Sequence, residues 1–260
     1  MTPRSDKGRW PAPARFSIAA AIMVILSISA LNAQNHPWSL TGSAGISILS
    51  LGAVDDDNAA DALGWARQGY PISRFASLNQ ALLYSGRLSY RQDREFAVSL
   101  IALYSLKTVR ASYHAADADL ELSRGIGSTD VILGIAYYPA ARPYFLEWYL
   151  QATFGLTFGH ATATATGVRY VNVAGVPTPQ PLVETDARFS KTKPSVSAGA
   201  GMDIPLLPRV ALKVEGLFRF AQFGAMSGTV TRFGEQSDET TTIQFDYSGF
   251  LLTAGIRIEL

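Results

Sequence analysis

The sequence predicts an all-β fold, an eight-stranded antiparallel transmembrane β-barrel with short periplasmic turns and four long extracellular loops. Three observations predict it. An export signal precedes the main part of the chain, apolar and polar residues alternate strictly through that part, and the connections between the alternating stretches are short and long in turn.

The first 33 residues have the three-part organisation of a secretory signal peptide. Arg4, Lys7, Arg9 and Arg15 form a basic start, an apolar run occupies residues 16–30, and Ala33 is a suitable last residue before cleavage. The run is shorter than the ~20 residues of a spanning helix. No paired arginines precede it, which favours the general secretory pathway over twin-arginine export. We therefore expect residues 1–33 to be cleaved and residues 34–260 to form one barrel domain.

Eight stretches after residue 34 alternate with a period of two, as strands with two different faces do. In residues 144–158 one face carries large apolar side chains and the other carries mainly Gln, Thr, Tyr and Gly. The other alternating stretches are 38–48, 82–90, 96–106, 130–137, 195–204, 210–220 and 250–260. An even number of strands of about ten residues is typical of an outer-membrane barrel.

The connections set the predicted orientation. Those at 92–94, 139–143 and 205–208 are short and rich in Pro or polar residues, whereas 53–76, 107–129, 160–194 and 222–242 are long. Short turns face the periplasm in outer-membrane barrels, which places both ends of the mature chain there. Outward aromatic residues at this end predict an aromatic girdle at the headgroup level. Its predicted members are Trp38, Tyr90, Phe96, Tyr137 and Tyr144.

A soluble β-sandwich or a lipocalin-like barrel is the alternative fold, with the apolar face turned inward. Two features count against it. The polar face is mainly Ser, Thr and Gly with few charges, and the apolar face is too bulky for the interior of a narrow eight-stranded barrel.

Composition narrows the classes of function. The chain has 22 Lys and Arg against 21 Asp and Glu, and this near-neutral balance argues against a nucleic-acid partner. The absence of cysteine excludes disulfides, thiolate metal sites and a lipidated cysteine. No metal-ligand cluster or phosphate-binding loop is present in the sequence, so no cofactor is expected.

The layout from Trp38 to Leu260 resembles the small outer-membrane barrels of the OmpA-barrel and OmpX type. In such proteins the last strand carries a signal for the barrel-assembly machinery, and here the resemblance assigns that role to one set of residues. They are Phe250, Leu252, Ile256, Ile258 and Leu260. The chain departs from the usual pattern by ending in Leu instead of an aromatic residue. The resemblance also implies contact with outer-membrane lipid and lipopolysaccharide, and a barrel without an appended peptidoglycan-binding domain.

Eight charged residues of balanced sign are predicted to face the lumen. They are Arg87, Glu147, Asp203, Lys213, Glu215, Arg219, Arg257 and Glu259. Because eight strands enclose a space that side chains can fill, we expect these residues to form an internal ion-pair network that plugs the barrel. The alternative is a narrow channel or transporter of the OmpW type for small solutes, but such a barrel needs an apolar inner funnel.

An enzymatic function ranks last. Small barrels of the lipid A deacylase type use a histidine and a serine close together on a strand, with a carboxylate that orients the histidine. His36 precedes the barrel, His114 lies in a predicted loop, and His160 has no serine two residues on. Asp55, Asp56 and Asp57 could bind a divalent cation weakly, but we interpret them as the start of a short helix over residues 59–67.

The external loops are the remaining region of the sequence in which a binding function could lie. Alternation continues through residues 160–173 and then stops at prolines 177, 179 and 181, which predicts a hairpin that projects from the membrane. Residues 229–247 favour a second one. Exposed strands of this kind suit adhesion or binding of an extracellular partner.

Overall fold

The computed structural model describes residues 38–139 and 146–260, and within these ranges it contains twelve strands and one helix. The elements are β1 (Trp38–Leu49), α1 (Gly52–Arg67), β2 (Gln80–Arg91), β3 (Phe96–His114), β4 (Ala118–Tyr137), β5 (Glu147–Val173), β6 (Val176–Leu207), β7 (Val210–Phe220), β8 (Gln222–Gly224), β9 (Ser227–Arg232), β10 (Glu235–Thr240), β11 (Phe245–Asp246) and β12 (Gly249–Glu259). The predicted signal peptide, residues 1–33, lies outside the described residues.

Eight of these strands close into a barrel, as the sequence predicts. Each of β1 to β6 pairs antiparallel with the next strand, β7 pairs with β12, and β12 pairs with β1 to close the ring. Short connections join the strands at one end, which we call the turn end. The opposite end, called the loop end, carries α1 and the strand extensions. A closed ring leaves no unpaired edge within the barrel wall.

The wall carries an apolar belt on its outside. We define this belt as the outward-facing residues between a turn-end border at Trp38 and Phe96 and a border nearer the loop end at Phe158 and Phe250. Its middle is fully apolar, and Phe154 and Leu133 remain 62% and 60% exposed there. Large apolar side chains at such exposure are unfavourable in water and favourable in lipid.

The strands do not stop at the upper border of the belt, and this corrects one sequence-based prediction. Residues 107–129 are not a loop, because β3 continues to His114 and β4 begins at Ala118. The faces reverse their polarity there. Inside the barrel β4 changes from Leu120 and Leu122 to Asp130, while its outer face changes from Glu121 to Val131. A pattern searched only for apolar-outward residues therefore ends too early.

The longest extension is the hairpin of β5 and β6. Its strands pair as far as Val173 and Val176, which confirms the predicted projecting hairpin. Beyond Phe158 it reaches roughly 50 Å along the strand at about 3.3 Å per residue. The turn uses Ala174 and Gly175 with positive φ at both positions, the geometry of a type I′ turn. The β9–β10 hairpin turns in the same way and pairs with the side of β6 at residues 185–190.

Helix α1 lies over the loop end and closes the interior there. It begins at Gly52, seven residues before the predicted start, so the acidic triplet forms part of the helix instead of preceding it. Leu51 and Val54 are buried against Leu78 and Phe75 from the segment that follows the helix. The carboxylate of Asp55 accepts hydrogen bonds from the backbone N–H of Leu78, at 2.9 Å, and from the Ser77 hydroxyl, which fastens that segment to the helix.

Candidate functional site: the occluded barrel interior

The turn-end part of the lumen holds a chain of ion pairs centred on Asp203. Arg257 lies 2.6 Å from one carboxylate oxygen of Asp203, and Lys213 lies 3.4 Å from the other. Arg257 also contacts Glu259 at 2.8 Å and Glu147 at 3.9 Å. Asp203 is fully buried, so its charge requires these partners.

Two aromatic rings from the turn-end half support these cations. The guanidinium of Arg91 lies 4.3 Å from the centre of the Tyr138 ring and 3.0 Å from Glu147. The ammonium of Lys213 lies 4.0 Å from the centre of the buried Tyr149 ring. These three residues were not among the predicted network. A tyrosine on the inner face, such as Tyr138 or Tyr149, gives no charge signal, and Arg91 lies one residue past the alternating stretch 82–90.

A second group of polar residues spans the lumen one layer deeper. One terminal nitrogen of Arg87 lies 2.6 Å from each carboxylate oxygen of Glu215, and the other donates to Gln151 at 2.8 Å. Arg87 is 5% exposed and Glu215 is 6% exposed. Strands β2, β5 and β7 supply these three side chains, so the contacts bridge the barrel wall from three sides.

An apolar layer follows on the loop-end side of Arg87 and Glu215. All its members are inward-facing and at most 6% exposed. They are Leu83, Ile101, Leu103, Ile132, Leu217 and Leu251. The cavity between this layer and Arg87 has a volume of about 10 Å³, which is at the lower limit for a single water molecule. The sequence predicted an inner face of Ser, Thr, Gly and charged residues. The apolar layer was missed because its residues alternate along each strand with a longer series of outward apolar residues, and only that series was interpreted as the apolar face.

Arg219 and Asp130 form the next polar layer. Their side chains approach to 2.5 Å, and Arg219 also donates to the backbone carbonyl of Tyr247 at 3.1 Å. Asp130 was placed on the polar face of its strand but not in the predicted network. Its place on the polar face of the alternating stretch 130–137 could have identified Asp130 as a member of the network.

Above Arg219 the interior is a hydrophobic core like that of a soluble domain. It combines inward residues of the strand extensions, such as Leu120 and Ile126, with Phe223 and Met226 from the β8 region and with α1. Arg124 on β4 pairs with Asp61 on the helix. Burial raises the pKa of the neighbouring Asp57 carboxyl, Asp61 raises it further, and Arg124 acts in the opposite direction.

The proposed girdle residues lie together at the turn end, apart from Tyr144, which is outside the described residues. Trp38 and Tyr90 are cross-strand partners with ring centres 5.0 Å apart, and Phe96 and Tyr137 are partners at 5.2 Å. The proposed assembly-signal residues on β12 and just after it all stay 42–55% exposed on the outer face.

No catalytic grouping is found among the histidines that the structure describes. His114 contacts Asp119 at the tip of the β3–β4 hairpin, whereas His160 lies opposite Gly127, eight residues further along β4, so the two are far apart. In residues 38–139 and 146–260, no group of three or more His, Asp or Glu side chains is arranged to hold a metal ion. The same ranges contain no helix of the length and hydropathy needed to cross a membrane.

No protein-family model matches this chain, and a search of curated proteins gave no match. Solved structures do match. A major outer membrane protein from Thermus thermophilus is 10% identical over 87% of this chain and 100% of that chain, with a TM-score of 0.54. OprG from Pseudomonas aeruginosa is 9% identical over 88% of this chain and 99% of its own, with a TM-score of 0.43.

Ail from Yersinia pestis, solved in complex with the heparin analogue sucrose octasulfate, is 11% identical over 85% of this chain and 99% of its own, with a TM-score of 0.36. At these identities the likeness concerns the fold alone. The closed ring of eight antiparallel strands, its apolar outer belt and the likeness to the Thermus protein together show that this chain has the fold of the small outer-membrane β-barrels.

Proposed function

We propose that the mature protein is exported through the general secretory pathway to the outer membrane, where its plugged barrel anchors the loop end and displays it outside the cell. The observation that carries this proposal is the layered interior, in which three ion-pair layers, one apolar layer between the second and the third, and a capped core occupy the barrel axis. The role then lies in the projecting hairpins and not in transport.

Display of the β5–β6 hairpin fits its surface. Tyr170, Val173 and Val176 near its tip are 39%, 52% and 63% exposed. Three prolines alternate along β6 at positions 177, 179 and 181. In a hairpin closed by a two-residue turn, these positions direct their backbone nitrogen away from β5, so the prolines remove donors from the open edge. A partner therefore meets the faces and tip of the hairpin and does not add a strand to this edge.

A narrow channel of the OmpW type is the second candidate. The observation in its favour is an open, polar cavity of about 470 Å³ at the turn end, which extends into the lumen. Against it stands the apolar layer around Leu83 and Leu251, which separates this cavity from the loop end.

Planar-bilayer recordings distinguish the two candidates. Purified wild-type protein should give no steady discrete openings. The variant Arg87→Ala removes the polar bridge but leaves the apolar layer, and it should also stay closed. Steady openings from wild-type protein would refute the plugged barrel, and openings gained only by Arg87→Ala would show that the ion pair is the sole barrier.

Surface display is tested in whole cells. An epitope inserted after Ala174 should be accessible to antibody on intact cells, whereas one inserted after Asp93 in a turn-end connection should become accessible only after permeabilisation. The reverse pattern would invert the proposed orientation. Adhesion of cells that display the protein should fall in the triple variant Tyr170→Ser, Val173→Ser, Val176→Ser, with Gln236→Ser on β10 as the matched control.

We further propose, from the resemblance, that the barrel-assembly machinery recognises β12 during insertion and that lipopolysaccharide surrounds the upper belt. The outward series Phe250, Leu252, Ile256, Ile258 and Leu260 supports the first statement, and the exposed polar outer face above Phe158 supports the second. Replacement of Phe250 and Ile258 by Ser should lower the amount of folded protein in the outer membrane more than replacement of Phe154 and Leu133, because only the first pair lies on the final strand.

A further inference from the structure

The turn-end cavity is a vestibule in which cationic side chains outnumber the other charged residues of the lining. It has a volume of about 470 Å³. Four cationic side chains, Arg91, Arg209, Lys213 and Arg257, line it together with one carboxylate, Glu259. Two further carboxylates, Glu147 and Asp203, lie in contact with these cations. Counted over the described side chains alone, four positive charges meet three negative ones, and Arg87 and Glu215 neutralise each other in the layer above.

Lys213 is the least compensated of these cations. It is 4% exposed, yet its only carboxylate contact within the described residues is at 3.4 Å to Asp203. Asp203 is held more closely by Arg257, at 2.6 Å. One buried carboxylate therefore serves two cations, and an ammonium group has three protons to donate. A buried cation with so little compensation favours an additional anion.

Unpartnered polar atoms collect around the same space. Within the described residues, Arg91 Nε, Arg257 Nε and the Tyr149 hydroxyl are buried and have no hydrogen-bond partner. Buried donors of this kind are rare in folded proteins and call for a ligand or an ordered solvent molecule. Arg91 and Arg257 belong to the vestibule lining, and Tyr149 packs directly against Lys213 behind that lining.

We propose that the vestibule binds a small oxyanion of the phosphate type. Lys213 supplies the deep charge, Arg91 and Arg257 supply lateral donors, and Arg209 at the exposed rim attracts the anion from solution. Glu259, about half exposed at the same rim, opposes entry. Charge-assisted hydrogen bonds from guanidinium and ammonium groups match phosphate oxygens in geometry and sign. This site is independent of the surface display proposed above, because it opens at the other end of the barrel.

The test is a titration of inorganic phosphate, followed by ³¹P NMR, into the folded barrel in a phosphate-free maltoside detergent. Wild-type protein should show saturable binding that weakens as NaCl is added, since salt screens the attraction. Lys213→Met should weaken binding by about tenfold or more, because it removes a charge-assisted contact. The control Lys191→Met removes a lysine near the loop end, which donates to the Ala225 carbonyl at 2.6 Å, and should bind as wild type does.

Two exposed rim substitutions keep the proposal testable if Lys213→Met does not fold. Arg209→Gln should weaken phosphate binding by roughly two- to fivefold, and Glu259→Gln should strengthen it by a similar factor, as expected for partly screened charges. These opposite shifts would not follow from a structural role. Absence of saturable binding by wild-type protein, or equal binding by Lys213→Met and both rim variants, would overturn the proposal.

A second titration identifies the source of the anion. Short-chain phosphatidic acid, kept below its micelle concentration, carries the same phosphate chemistry on a lipid. Stronger binding of inorganic phosphate would assign the site to a free anion, and stronger binding of the lipid, still lost in Lys213→Met, would assign it to a headgroup. Binding of the lipid alone, with no effect of Lys213→Met, would contradict the vestibule as its location.

Discussion

One terminal nitrogen of Arg87 lies 2.6 Å from both carboxylate oxygens of Glu215, and this contact joins β2 to β7 across the barrel interior. The two strands are separated along the wall by β1 and β12. The pair therefore links parts of the wall that no ladder hydrogen bond joins. Both groups are almost fully buried, so each depends on the other for its compensation.

Glu215→Gln should destabilise the barrel by about 3–5 kcal/mol, because it leaves the buried Arg87 guanidinium without a counter-charge. Unfolding by urea in lipid vesicles, followed by tryptophan fluorescence, measures the loss. The double variant Arg87→Met, Glu215→Leu serves as the control and should lose less, since it buries no unpaired charge. A double variant that is less stable than Glu215→Gln alone would contradict this account.

Phe154→Arg should destabilise the folded protein by about 2–4 kcal/mol, whereas Trp148→Arg on the same strand and face should cost about 0–1 kcal/mol. Phe154 lies at the middle of the apolar belt, but Trp148 lies near its turn-end border. The depth at which a charge meets hydrocarbon determines this difference. Both values come from the same urea titration, and equal costs would show that the belt does not lie in a bilayer as described.

Phe233→Asn should stabilise the β9–β10 hairpin by roughly 1 kcal/mol. Phe233 has a φ of 48° and is followed by Gly234 at 83°, a turn that asparagine adopts with less strain than phenylalanine. Hydrogen exchange of the β9 and β10 amides measures the effect. Ala174→Asn makes the matching change at the other turn and should protect only the β5–β6 tip. Reduced protection in Phe233→Asn would mean that the ring contributes contacts that outweigh the backbone strain.

Asp57→Asn should strengthen the cap over the loop end at neutral pH. The pKa of Asp57 is raised in the folded state, mainly by burial, so its contribution to stability is present below the ordinary value of 3.8 and is lost as pH rises through the raised value. The ionised group therefore weakens the cap at pH 7, and the amide does not. In Asp57→Asn, the hydrogen-exchange protection of α1 should be higher than in the wild-type protein at pH 7. At pH 3 the two proteins should show equal protection.

The exposed neighbour Asp56 provides the control for this experiment. Asp56→Asn changes the helix charge by the same amount without removing a half-buried carboxylate. It should leave the protection of α1 nearly unchanged between the two pH values. An equal gain in both variants would assign the effect to the net charge of the helix and not to Asp57.

The lumen shows where sequence-based prediction was incomplete. The eight predicted charges all lie on one side of a period-two pattern, and the structure places all of them on the inner side of the wall or at its turn-end rim. Their partners did not follow from the pattern. Asp203, for example, contacts Arg257 and Lys213 from two other strands, and such contacts depend on the stagger of the closed ring.

The sequence by itself determined the number of barrel strands, the outward apolar series such as Leu133 and Phe154, and the projecting hairpin, because a two-residue period and turn signals are local properties of the chain. Only the tertiary structure decided that residues 107–129 extend the wall, that α1 caps the interior, and that the lumen alternates charged and apolar layers. Each of these depends on side chains far apart in sequence. Arg87 requires Glu215 and Arg219 requires Asp130, and closure of the barrel brings these pairs together. Arg124 requires Asp61, and the packing of α1 over the loop end brings that pair together.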